Sequence, residues 1–108
     1  MSHKIKVVIK RPGEKPYVTN ISNTLKNLQS TVEGPIETVT LFSDMVIICN
    51  EEGRLHELPH NCNLFGVNFV GTLVFCGTDG EGFTDLPLSF ADFKKTFVNL
   101  FRKEDAQK

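Results

Sequence analysis

The sequence predicts an α+β domain in which two helices pack on a mostly antiparallel sheet of about five strands, the second helix lying at the C-terminus. Three observations predict it. Short runs of Val, Ile and Thr recur between turn residues along the first half of the chain. Two apolar runs, residues 45–49 and 70–77, are continuous enough to be strands buried on both faces. Near the end, Phe90, Phe93, Phe97, Leu100 and Phe101 recur at helical spacing. Strands and helices in the order β-β-α-β-β-(β)-β-α, without repeats or a linker, fit one domain over residues 1–108.

Taken in order, residues 4–10 alternate Lys with aliphatic side chains at their start, the period of a half-buried strand. Arg11, Pro12, Gly13 and Glu14 form a turn, and residues 17–21 return as the partner strand, with Pro16 at the entry where a missing N–H is tolerated. Ser22 or Asn23 caps a helix over residues 24–32, because Leu25, Leu28 and Val32 share one helical face. Gly34 suits a left-handed helix end and Pro35 blocks continuation. Residues 36–42 alternate again, Ser43 and Asp44 turn, and residues 45–49 make a central strand. Residues 54–58 are expected as a brief return strand and residues 59–69 as a loop. After the strand over 70–77 comes a glycine-rich acidic loop, 78–82, and then the closing helix, for which Ser89 followed by Asp92 resembles a capping box.

At 108 residues the chain can bury a core without staples, and 40% hydrophobic with 23% charged residues is the balance of a globular domain. Nine Phe with no Trp and one Tyr point to a Phe-built core. No apolar run approaches the roughly 20 residues of a membrane span, and the N-terminal apolar stretch is too short for a secretory signal, so a soluble, cytoplasmic protein is expected. Cys49, Cys62 and Cys76, an odd number without a C-x-x-C pair, fit a reducing compartment rather than a disulfide framework.

A net charge of −1 hides an asymmetry: residues 1–32 carry six bases against Glu14, residues 33–92 carry ten acids against Arg54, and the last residues are basic again. If the first strand and last helix sit together, one basic face opposes an acidic one and offers a docking surface for an anion or an acidic partner. The bases are interleaved with core-directed residues and no aromatic platform accompanies them, which disfavours nucleic acid.

Each candidate for chemistry has a plainer reading beside it. His56, His60 and Cys62 are metal-ligand types, but Pro59 interrupts the helix that would align the two His, so no metal is expected. Cys62 as thiolate with His56 or His60 as base is the arrangement of a small hydrolase, though no orienting third group or oxyanion hole accompanies it. Glu51 and Glu52 before Gly53 read as a turn carrying solvated charge. The 78–82 loop lacks the Lys and Ser/Thr of a phosphate-binding loop, and Asp79, Glu81 and Asp85 do not follow a calcium-loop pattern. No catalytic residue and no cofactor is assigned.

The pieces KVVIKRPGEKP, NTLKNLQSTVEG followed by PIETVTL, VIICNEEGRLHELPHN and VGTLVFCG resemble, in that order and over nearly the whole chain, a bacterial and phage family known as a domain of unknown function, DUF3846. The stretch from NEEG to LP-x-N is the most specific. The resemblance implies a setting rather than an activity: a small accessory product of phages, plasmids and conjugative elements. With the charge asymmetry it leads to an expected non-enzymatic protein that binds a host factor or a small, anionic signalling ligand and counters host defence. The groups expected to bind are Asn50, Glu51, Glu52, Arg54, His56 and Asn61, with Arg54 as a bidentate anion anchor and each Asn equally suited to holding a turn. The alternatives are the Cys62 hydrolase and a structural module that homodimerises through exposed Phe97 and Phe101 of the last helix.

Overall fold

In the computed structural model, which describes residues 3–102, a central antiparallel sheet is covered on both faces. Its strands are β1 (Lys4–Lys10), β2 (Tyr17–Ser22), β3 (Ile36–Phe42), β4 (Met45–Asn50), β7 (Leu73–Thr78) and the two-residue β8 (Phe83–Thr84). The spatial order is β2-β1-β7-β4-β3, with β8 paired to β7. A separate hairpin is made by β5 (His60–Leu64) and β6 (Val67–Val70). Helix α1 (Leu25–Val32), helix α2 (Phe90–Thr96) and a 3-10 turn, Val98–Phe101, complete the fold.

Period-two alternation distributes the apolar side chains between two cores. Met45, Ile47 and Cys49 of β4 and Leu73 and Phe75 of β7 face one side, where Phe93, Phe97 and Leu100 and the hairpin residues Cys62 and Phe69 close over them. Val46, Ile48, Val74 and Cys76 face the other, against Leu28 and Val32 of α1. Residues 45–49 and 73–77 are therefore central strands because each face of each strand meets a core; the second run does not start at residue 70 as expected, because Val70 ends β6 and the left-handed Gly71 (φ 74°) separates it from β7. Phe75 anchors the first core, with Phe93 edge-on at 5.0 Å and Phe97 at 5.5 Å.

Several expectations are corrected. Thr24, rather than Ser22 or Asn23, caps α1, its hydroxyl accepting from the Asn27 N–H; the Asn23 amide is instead drawn to the Phe83 carbonyl. The left-handed residue ending α1 is Glu33 (φ 68°), not Gly34. Residues 54–58 do not form a strand, and residues 59–69 are largely the β5–β6 hairpin rather than a loop. Ser89 does cap α2, but the chain tightens after Thr96. Phe97 is thereby buried and Phe101 half-buried against Phe90 and Phe93, so the apolar surface expected to be exposed on that helix faces the chain's own core. Lys10, read as a surface base, is buried and its Nζ donates to the Arg11 carbonyl. Lys103, Glu104, Asp105 and Lys108 lie outside the described residues. Among the described residues no helix is long and apolar enough to cross a membrane.

The displaced glycine has a steric cause. A Cβ on Gly34 would stand 2.6 Å from Nδ2 of Asn50, whereas Glu33 points to solvent. Glycine is needed at 34 for space, which leaves a non-glycine residue to take the left-handed position. Glu33→Gly should therefore stabilise the fold by about 0.5–1 kcal/mol, while Gly34→Ala should destabilise it by about 1–3 kcal/mol through overpacking against Asn50. Urea unfolding of the two variants beside the parent checks both signs.

Candidate functional site

Asn50 ends β4 and is buried. Its Nδ2 donates to the Val32 carbonyl at the end of α1 (3.1 Å) and its Oδ1 accepts from the Glu52 N–H (2.7 Å). Residues 51–57 then make one helical turn. The His56 N–H reaches the Glu52 carbonyl, Glu57 adopts a left-handed conformation (φ 56°), and the N–H groups of Glu57 and Leu58 return to the carbonyls of Arg54 and Gly53. This is a Schellman ending, and it is why the segment cannot run on as a strand.

Leu58, Pro59 and Asn61 all converge on Gly71. The Leu58 Cδ1 occupies the space beside Gly71 that a Cβ would fill, at 2.8 Å, and Gly71 has φ +74°. The Pro59 carbonyl accepts the Gly71 N–H. The Asn61 Nδ2 donates to the carbonyls of Gly71 (2.6 Å) and Lys10 (2.8 Å), tying the hairpin to β1. The most specific stretch of the sequence is thus a brace: it docks the 51–57 turn and the β5–β6 hairpin against the sheet.

Between them opens a cleft of about 430 Å³. Of the six residues expected to bind, Asn50, Glu51, Glu52 and Arg54 line it; His56 and Asn61 do not. His56 pairs with Glu52 on the exposed side of the turn (Nε2 to Oε1, 3.1 Å), and Asn61 is buried under the hairpin. The lining that sequence reasoning missed comes from Glu37 and Val39 of β3, from Leu55, and from β6. The signal for β6 was present in Gly66, flanked by alternating Cys62, Leu64, Val67 and Phe69. Phe65 (φ 51°) and Gly66 (φ 80°) form a two-residue turn with both residues left-handed, the type that favours Asn-Gly. Phe in the first place disguised it.

Three exposed carboxylates, Glu37, Glu51 and Glu52, surround the cleft against the single guanidinium of Arg54, whose Nη2 donates to the Asn68 carbonyl (2.6 Å). Arg54 is drawn onto the free side of β6, and the local field is acidic. In the sheet, β1, which carries Lys4, Lys6 and Lys10, lies one strand in from one edge, and β3, which carries Glu37, forms the other edge.

Cys62 is buried in the first core, while His60 is exposed with Nδ1 2.6 Å from Oδ1 of Asn68. The Asp79 carboxylate accepts the N–H groups of Glu81 and Gly82, which holds its pKa below the usual value, and Asp85 accepts the Lys6 N–H. Among the described residues no group of three or more His, Cys, Asp or Glu is placed to hold a metal ion. Cys49, the thiol lining the cleft, is pushed up to about 11 by burial and then by the Glu37 charge; burial alone takes Cys76 to about 12.

The chain belongs to the family described as Domain of unknown function (DUF3846), which matches residues 5–100. No curated protein and no solved structure matches it.

The raised thiols give a signed pH dependence. Unfolded thiols ionise near 9 while the native ones stay protonated to about 11 and 12, so between those values the unfolded state binds fewer protons and stability falls as pH rises. Urea midpoints should decline from pH 8.5 to 10.5, with a shallower slope in a Cys49→Ala/Cys76→Ala variant. At pH 8 iodoacetamide should label native Cys49 on the order of 100-fold more slowly than a free thiol.

Proposed function

We propose that this member of the DUF3846 family is a non-enzymatic binding protein of a phage or mobile element, which holds a host factor in the cleft beside the 51–57 turn and thereby counters host defence. The observation that carries the binding reading is convergence. The most specific stretch of the sequence builds one wall of a cleft whose lip exposes Leu55 and Val67, apolar side chains left in water. Cys62, the nucleophile a hydrolase would need, is buried in the core, and the neighbouring Cys49 is held protonated, which supports binding over nucleophilic catalysis. The acidic surplus around Arg54 favours a protein partner over a small anion. The phage and mobile-element setting rests on the family resemblance.

Native mass spectrometry of the chain purified from a bacterial host tests the reading. The expected result is a mass increment over the denatured chain that disappears in Leu55→Asp, a change at an exposed position that leaves the fold intact. A bare chain mass, or an increment indifferent to Leu55→Asp, would contradict it.

A further inference from the structure

The β3 strand is an edge of the sheet, and its free side borders the cleft. The Glu51 N–H donates to the Pro35 carbonyl, which makes Ile36–Asn50 a non-hydrogen-bonded pair in the antiparallel ladder. It follows that Glu37 and Val39 direct their N–H and C=O groups to β4, whereas Ile36, Thr38 and Thr40 direct theirs outward. Thr38 and Thr40 are exposed, and no Lys or Pro within β3 blunts the edge. The side chains of Glu37 and Val39 meanwhile project into the cleft.

We infer that an extended segment of a partner protein adds to this edge as an antiparallel strand and carries basic side chains into the cleft. The inference rests on the binding reading above and specifies its partner. Hydrogen-bonded pairing at Ile36, Thr38 and Thr40 places Val39 and Glu37 in the close, non-hydrogen-bonded pairs, where opposing side chains meet on the cleft face. Read in the partner's direction, the residue facing Val39 comes first and the one facing Glu37 two later. The next on that face lies beside Pro35, toward Glu51 and Glu52. The recognised pattern is apolar-x-basic-x-basic: main-chain bonds supply the affinity, and the charge complementarity of Glu37, Glu51 and Glu52 supplies the selectivity.

The probe is a fluorescein-labelled peptide, VTVTKTK, followed by fluorescence anisotropy on the full chain, with VTVTETE as its charge-reversed counterpart. Saturable binding of VTVTKTK, at least about tenfold tighter than VTVTETE and weakened by salt, is expected. Thr38→Pro removes an outward N–H without touching the β4 ladder and should weaken binding about tenfold; circular dichroism reports whether it folds. Glu37→Lys, at an exposed position, should shift the preference toward VTVTETE and supplies a second reading should Thr38→Pro not fold. Equal binding of the two peptides, no binding of either, or a folded Thr38→Pro that binds undiminished overturns the inference. So does sedimentation showing a self-associated chain that Thr38→Pro dissociates, because a second copy would then occupy the edge. A native-mass increment sensitive to Leu55→Asp, together with no preference for the basic peptide, would remove this inference while leaving the binding reading in place.

Discussion

One buried amide holds the parts of this molecule in relation to each other. Asn50 stands where the central strand β4 leaves the sheet, and its two polar atoms are taken by different elements: the last turn of α1 on one side and the 51–57 turn on the other. Because both bonds are buried or nearly so, leaving either partner unsatisfied costs on the order of 1–3 kcal/mol. No apolar residue can replace the pair of contacts. The neighbouring sequence is arranged around that amide. Gly34 is cleared of a Cβ to admit it, Glu33 takes the left-handed position in glycine's stead, and Glu51 continues the β3–β4 ladder by one more bond to Pro35.

From there the brace extends to the cleft. Leu58, Pro59 and Asn61 fix the far end of the turn on Gly71, so the turn is pinned at both ends while Glu51, Glu52, Arg54 and Leu55 face solvent. A segment held this way presents its side chains from a defined backbone, and binding then orders little new chain. Arg54 is part of the same economy of structure. By donating to the Asn68 carbonyl it takes up one outward group of β6, while β3 stays an open edge of the sheet beside the cleft.

Much of the fold is legible in the sequence. The central strands announce themselves through unbroken apolar runs, and α2 through its Phe spacing and Ser89 cap, because burial on both faces and a helical stripe leave strong periodic marks. What is hidden depends on backbone conformations that unexpected residues adopt. Glu57 in the left-handed region turns an apparent strand into a helical turn, and Phe65 in a turn that favours Asn conceals a hairpin. Of the site, Asn50, Glu51, Glu52 and Arg54 could be found because they are contiguous. Glu37 and Val39 could not, since they reach the cleft only through the pairing of β3 with β4 and the placement of the hairpin. The Phe97 side chain belongs to the Phe-built core that composition points to, and only the alternative that exposes it on the last helix fails: a helical stripe says which side chains share a face, and the fold decides what that face meets.

The central claim is that the Asn50 amide holds the cleft wall in place, and amide hydrogen exchange in Asn50→Ala tests it most directly. The account predicts that protection at Glu52, Gly53, His56 and Leu58 falls by more than the loss in global stability, while the β1–β7 ladder keeps protection in proportion to that stability. Uniform loss across turn and sheet, or unchanged protection in the turn, would contradict it and leave the 51–57 segment held by something other than this side chain.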